Sequence, residues 1–398
     1  MLETLPDHYW QHKPATRGKQ GKYTAHGMPT GAAVGYKGRK PFVGNQPMTR
    51  RSLFFLLLFV FSACEKPLRL PYIPPELHNW PTPYKGVAGL RLHVFITGKV
   101  SLPGQLVYRD SSLLSTQPLD ILVFAIEHPR RGLILVGTGL NHNIANNGER
   151  YLGALPSSLS TLTMAEGQDI LAQLKRAKLP DSRVHHIILP DLRFDHAGEL
   201  ESFSSAQPIV ASTEYNAATE QEGDALYLSR EYDGIREWRF IDFAGAGPLG
   251  TFRAHRDLFG DGSVLLIDAA GATAGGLAVL VRLPTRPVLI CGNLAWTREQ
   301  YFYVRAPGLL FDRAAWWDKA WRLKKFKELA EELIVLPDHE WAIVESVKTK
   351  DMILHPFPDK EEKNVGKGKQ ESEQKEERQR KERQPRAARS KKTDQRKP

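Results

Sequence analysis

From about residue 86 onward, short apolar blocks alternate with clusters of glycine, proline and charge. That is the pattern of buried strands bounded by turns. Residues 90–96, 120–126 and 132–136 predict strands, as do 184–189, 207–211, 263–267, 277–282, 288–290 and 333–336. Helical spacing replaces alternation over 164–177, where Ile170, Leu171 and Leu174 share a face, and again over 212–220. A third helix carries Trp317, Trp321, Leu323 and Phe326, a spacing that suits core packing better than a ligand box. Two strand-rich halves, each with its helices, predict a layered α/β sandwich.

Upstream of residue 86 the pattern differs. Six prolines within 65–85 predict an extended tether. Before it, Arg50-Arg51 precede an apolar run from Leu53 to Phe61, the n-region and h-region of a secretory signal. The run is too short to span a bilayer, which takes about 20 residues. Ser62-Ala63-Cys64 resembles a bacterial lipoprotein box, which makes Cys64 the candidate lipidation site; Phe61 departs from the usual leucine and leaves ordinary cleavage open. A buried core strand is the alternative for this run. The expected location is the bacterial cell envelope, as a membrane-anchored lipoprotein or a secreted protein. A signal should begin a protein, so Met48 is the expected start and 1–47 upstream sequence. The chain has two cysteines; with Cys64 lipidated no internal disulfide can form, and Cys291, in an apolar run, reads as a core residue.

Composition sharpens this division. A chain of 398 residues, 41% hydrophobic, can bury one large or two medium cores. Its net charge of +10 resides in the ends: residues 1–51 carry nine basic and two acidic side chains, residues 359–398 fifteen and nine, and the stretch between 31 and 34. The basic balance therefore gives no sign of a nucleic-acid groove in the core, and no specific nucleic-acid recognition is expected. Both ends, 1–47 and 347–398, read as disordered because they hold too few apolar side chains to offset ordering entropy. The basic C-terminal tail reads as a solvated extension or as weak adhesion to an anionic surface.

Chemistry concentrates in Pro190-Asp191-Leu192-Arg193-Phe194-Asp195-His196-Ala197-Gly198, which follows a predicted buried strand. This stretch resembles the H-x-H-x-D-H-A-G loop of the metallo-β-lactamase superfamily. Further segments follow in the family's order: Ile134–Gly139 resembles I-L-V-D-T-G, and Asp257–Val264 resembles a segment of the N-acyl homoserine lactonase branch. Ala269–Gly276 falls on T-P-G-H-T-P-G-H, Cys291-Gly292-Asn293 on the G-D element, and Pro337-Asp338-His339-Glu340 on P-G-H-D. The resemblance covers residues 86–346 and implies an αββα sandwich with its site at strand ends between the halves.

In that family, two zinc ions polarise a carbonyl and hold a hydroxide. The positions of one zinc are here Asp191, Arg193 and Ala272, of which Ala272 cannot ligate and Arg193 is a permanent cation. The positions of the other are Asp195, His196 and His339, all of ligating type, while the bridging aspartate is Asn293 and the aspartate of D-T-G is Gly137. The resemblance thus implies a fold that has lost dinuclear zinc chemistry: a degenerate hydrolase or binding protein, or a hydrolase of a lactone or other small ester using one zinc or other divalent metal. Either Asp195, His196 and His339 hold that single metal, or they survive as a hydrogen-bonded cluster in which Arg193 supplies the positive charge by pairing with Asp195 or Asp191. A guanidinium within a few ångströms of a dication costs several kcal/mol even at an effective dielectric near 20, so Arg193 would have to swing away for metal to bind. His142, His185 and His186 have no matched role, Glu340 is unassigned, and no nucleophile elbow, P-loop or dinucleotide fingerprint is present.

Overall fold

The computed structural model describes residues 68–153, 160–220 and 226–357. The expectations for 1–47, for the export segment 48–64 with Cys64, and for the charged residues beyond 357 lie outside the described residues.

The strands in chain order are β1 (Arg91–Pro103), β2 (Thr116–His128), β3 (Gly132–Val136), β4 (Thr161–Thr163), β5 (Val184–Ile188), β6 (Gln207–Ala211), β7 (Arg239–Ile241), β8 (His255–Asp257), β9 (Val264–Asp268), β10 (Leu277–Arg282), β11 (Pro287–Ile290), β12 (Ile334–Leu336) and β13 (Met352–His355). The helices are α1 (Gly104–Val107), α2 (Ile144–Leu152), α3 (Ile170–Arg176), α4 (Phe194–Ala197), α5 (Ser212–Glu220), α6 (Arg298–Phe302), α7 (Arg313–Leu329) and α8 (Trp341–Ser346). One sheet runs β13-β1-β2-β3-β5-β6-β7 with β4 added to β1; the other runs β12-β11-β10-β9-β8. Strands β3, β5, β6 and β7 are mutually parallel, as are β11 and β12.

The two sheets face each other across a single apolar layer that includes Leu92, Val94, Ile134 and Ile188 from one and Leu266, Val279, Ile290 and Leu336 from the other. On the outside of the first sheet, Ile170 and Leu174 of α3 and Ala218 of α5 pack on Val123, Leu135, Ile187 and Val210. On the outside of the second, α7 packs Trp316, Ala320, Leu323 and Phe326 on Ile267, Leu280 and Leu289. Each sheet is covered on both faces, which is why central strands such as Leu133-Ile134-Leu135-Val136 read as unbroken apolar runs rather than alternating ones. Full burial of each such side chain contributes roughly 1.5–3 kcal/mol. The result is the αββα sandwich expected from the sequence. Among the described residues no helix is long and apolar enough to cross a membrane.

Four local expectations change. The helix expected over 164–177 is confined to α3, because the Asp169 carboxylate caps it by accepting the Ala172 N–H at 2.8 Å, and the residues before it turn through Gly167 at φ +71°. In α7 the fully buried tryptophan is Trp316; Trp317 and Trp321 flank the contact. The proline-rich segment is no free tether where it is described. His78 pairs with Gly250, Trp80 stacks edge-on against Phe326 at 4.7 Å and donates to Glu332, and the Tyr84 hydroxyl donates to the Leu283 carbonyl. Finally, the domain continues past 346: β13 adds in parallel to β1, pairing Leu92 with Met352. Four residues between Asp351 and Pro356 give no local signal, since the pairing partner lies at the other end of the domain.

Candidate metal centre

The candidate residues leave the C-terminal ends of parallel strands in both sheets, where side chains from different strands converge. Asp191 lies in the loop after β5, Asp195 and His196 in the single turn of α4, Asn293 just beyond β11, and Asp338 and His339 just beyond β12. Close packing fixes the α4 turn. A Cβ at Gly198 would lie 2.4 Å from the Gly139 carbonyl, so only glycine lets the turn seat against the loop after β3. From that loop, both the backbone N–H and the hydroxyl of Thr138 donate to the His196 carbonyl, at 2.7 and 2.9 Å. The two sheets are tied at this level by the Leu277 N–H donating to the Pro190 carbonyl.

Asp191 is fully buried and faces inward. Its Oδ1 accepts from the Arg193 N–H at 3.0 Å and contacts His196 Nδ1 at 2.8 Å, while its Oδ2 accepts from the Asn293 amide. Burial would raise its pKa, but the charge and hydrogen bond of His196, with the Arg193 charge behind them, hold the carboxyl well below the usual carboxylate range. Arg193 reaches Asp191 by its backbone N–H and by its field, and His196 holds the same carboxylate oxygen. The Arg193 side chain also lines the cavity beside the cluster.

His196 and His339 are oriented in the same manner. His196 Nδ1 is held by Asp191, and His339 Nδ1 by the Asp120 carbonyl at 2.9 Å. With each Nδ1 committed to an acceptor, both Nε2 atoms turn to one point. Asp338 Oδ2 lies there, 2.7 Å from His196 Nε2 and 3.3 Å from His339 Nε2, and Asp195 Oδ2 approaches His339 Nε2 to 3.5 Å. Asp195 Oδ1 is buried and has no hydrogen-bond partner among the described residues. Burial alone would lower the His196 pKa; the charges of Asp191, Asp338 and Asp195 overcome it and raise the value well above that of an ordinary histidine. Burial likewise pushes Asp338 up, and the two histidines pull it below the usual range.

Asp195, His196 and His339 thus come together, with potential ligand atoms all within 4.8 Å of one another. The structure gives two reasons why this set could hold one divalent cation: the paired Nε2 atoms face inward, and one Asp195 oxygen is left without a partner among the described residues. The residues at the other expected position do not fit a second ion. Ala272 is buried and offers no donor atom, and Asp191 is already engaged by three hydrogen bonds. Asn293 does not face the cluster: its amide N–H₂ is on Asp191 and its oxygen accepts from Trp296 Nε1. Gly137 sits beside the His196 ring, 3.4 Å from where its Cβ would be.

Several contributors carried no signal in the sequence. Asp120, in the interior of β2, binds the turn after β12 three times: through its N–H to the His339 carbonyl, its carbonyl to His339 Nδ1, and its carboxylate to the Trp341 N–H. Glu214, fully buried, accepts from the Leu192 and Gly275 N–H groups and the Tyr227 hydroxyl, and so ties the Asp191 loop to the loop bearing Ala272. Burial and the neighbouring Asp191 raise its pKa. His142 is not a ligand; it bonds to the buried Glu199 at 2.7 Å behind the α4 turn. His185 and His186 start β5, at the strand end opposite the site, and Glu340 accepts from the Arg298 N–H at the start of α6. Asp338 was visible in the sequence as an aspartate at a glycine position of the resembling motif.

A narrow apolar cavity of about 60 Å³ opens onto the cluster. Its walls include Leu102, Leu106, Leu119, Phe194 and Trp296, and Arg193, Asp195 and His339 form its polar end. A larger, more open depression of about 650 Å³ lies near Phe203 and Arg236 and contains none of the converging groups. The chemistry is assigned to the smaller cavity, because Asp195 and His339 of the cluster line it.

Residues 117–339 match the family model described as Metallo-beta-lactamase superfamily. An N-acyl homoserine lactonase, AttM, of Azorhizobium caulinodans is 24% identical over 247 residues, covering 61% of this chain and 89% of that protein. The metallo-hydrolase mfmC of Annulohypoxylon moriforme is 26% identical over 193 residues, covering 45% of this chain and 50% of that one. Among solved structures, an N-acyl homoserine lactone hydrolase with the product N-hexanoyl-L-homoserine bound at its catalytic metal centre superposes with a TM-score of 0.57 at 21% identity, covering 65% of this chain and 97% of that one. At that identity, the likeness concerns the fold.

Proposed function

The chain belongs to the metallo-beta-lactamase superfamily, and from that premise we propose that it is a hydrolase acting on a small lactone or other ester with one divalent metal ion, not two. The observation that carries this is the pairing of His196 and His339, each held at Nδ1, with ligand atoms of both and of Asp195 within 4.8 Å of one another. A divalent ion held by His196, His339 and Asp195 would supply Lewis-acid chemistry there. The remaining work belongs to the chain. Asp191 and the Asp120 carbonyl, as acceptors for Nδ1–H, favour the tautomer whose Nε2 would ligate, at His196 once its proton shared with Asp338 is given up. The cavity takes a short apolar acyl group, Phe194 and Trp296 exclude water beside it, and Arg193 lines its polar end. The N-acyl homoserine lactonases among the relatives favour a lactone.

The test is metal analysis of the purified full chain, with His196→Ala and His339→Ala beside it, followed by a lactone-opening assay at neutral pH. One equivalent of metal in the parent, lost in both folded variants, with measurable ring opening, supports the reading. A parent that binds no zinc, manganese or iron(II) sinks it.

A second reading has its own observation. Without an ion, Asp191 and Asp338 clamp His196 from both ring nitrogens, a fully satisfied imidazolium. A metal-free binding protein would keep this clamp, and the same metal analysis separates the two. Either function is placed at the bacterial cell envelope, a reading supported by Arg50-Arg51, the apolar run 53–61 and Cys64. Mass spectrometry of the mature N-terminus checks it; a peptide from 1–47 in mature protein rules out Met48 as the start.

A further inference from the structure

The residue that distinguishes this cluster is Asp338. It stands two positions beyond β12, next to β11, whose end leads to Asn293; the two strands are parallel neighbours with Ile290 opposite Leu336. The turn bearing Asp338 is pinned to the turn bearing Asn293, since the Asp338 N–H donates to the Ala295 carbonyl and the His339 N–H to the Trp296 carbonyl. Two polar side chains therefore leave adjacent strand ends toward the same space. The amide, Asn293, turns aside to Asp191 and Trp296. The carboxylate, Asp338, is 2% exposed and is the one that reaches both inward-facing imidazoles.

Resting on the single-ion reading above, we propose that Asp338 is itself a ligand, so that the ion is held by two imidazoles and two carboxylates: His196, His339, Asp195 and Asp338. The geometry favours this over a simple ion pair for two reasons. First, one oxygen lies near both Nε2 atoms, as a shared coordination sphere requires, whereas an ion pair needs only one imidazole. Second, three carboxylates, those of Asp191, Asp338 and Asp195, face the two imidazoles, and a divalent cation would add to the charge that Arg193 already sets against them. Asp195 adds a further carboxylate oxygen that has no proton donor among the described residues. Nitrogen and oxygen donors in this ratio suit zinc, manganese or iron(II). The carboxylate that the resemblance expects at 293 is then supplied from 338.

The experiment uses the full chain, stripped with a chelator and titrated with zinc(II) by calorimetry. A parallel cobalt(II) titration is read from its visible ligand-field bands. The variants are Asp338→Asn, which keeps an acceptor for the His196 N–H, and Asp338→Gly; metal-free circular dichroism and melting confirm that each folds. We expect one equivalent in the parent, a loss of affinity of at least about 10- to 100-fold in both variants, and a changed cobalt spectrum in Asp338→Asn. Unchanged or tighter zinc binding in the folded variants would overturn the proposal, because Asp338 would then be a rival of the metal. A parent that takes no metal overturns the single-ion reading as well, so the two failures are told apart.

Discussion

Replacing Glu231 with glutamine should stabilise the protein, and by an amount that grows with pH. Glu231 is buried beside the site; its Oε1 accepts from the Tyr151 hydroxyl at 3.1 Å and its Oε2 has no partner among the described residues. Burial is the main cause that lifts its pKa from 4.5 to about 8, with the fields of Asp195 and Glu199 adding to it and the Tyr151 bond and Arg230 opposing. A carboxyl with a raised folded-state pKa holds its proton more tightly in the folded than in the unfolded chain. Its contribution is therefore fully present below the unfolded value near 4.5, and it drains away as pH rises to about 8. At about 1.4 kcal/mol per pH unit, the cost at pH 7 is at most about 3 kcal/mol. Glutamine keeps the acceptor for Tyr151 and never ionises, but its amide N–H₂ must find an acceptor. We expect Glu231→Gln to be near neutral at pH 5 and to gain roughly 1–3 kcal/mol at pH 8.5. Urea denaturation of parent and variant at those two pH values measures it. An equal difference at both would refute the reasoning, because a packing effect has no pH slope.

Three further predictions follow from named contacts. Glu214→Ala strands three donors, Leu192 N–H, Gly275 N–H and the Tyr227 hydroxyl, and should cost about 2–4 kcal/mol in denaturation while also weakening zinc binding through the loosened Asp191 loop. Trp80→Ala removes the edge-on contact with Phe326 and the bond to Glu332; a loss of about 2–4 kcal/mol would show that residues 77–84 belong to the folded domain, and a loss under 0.5 would show that they do not. Stripping the parent of metal should lower its melting temperature, and zinc at 100 times its dissociation constant should restore about 2.7 kcal/mol, a gain that scanning calorimetry should find missing in His339→Ala.

The fold was legible because its strands are buried on both faces and therefore stand out as apolar runs, as in 132–136, 277–282 and 288–290. The candidate ligands were legible because Asp195, His196 and His339 sit in short motifs with a known order. What stayed hidden was what holds them. Asp120 acts largely through backbone groups, which no side-chain pattern reveals. Glu214 reads as an ordinary helical glutamate until the fold buries it between two loops. Trp316 and Trp317 are adjacent in a helix, and only the position of the sheet decides which one points inward. β13 is four residues long, and its partner is 260 positions away.

That last pairing has a consequence for how the protein is made. The Leu92–Phe95 stretch of β1 has β2 on one side from early in synthesis, but its other edge stays open until Met352–His355 arrive. At 5–20 residues per second, the intervening stretch takes the ribosome roughly 13–52 s. For all that time the nascent chain carries an unpaired edge that is competent for aggregation. A chain cut short before 352 would keep that edge permanently. The large sheet is thus sealed by nearly the last residues of the domain to be synthesised.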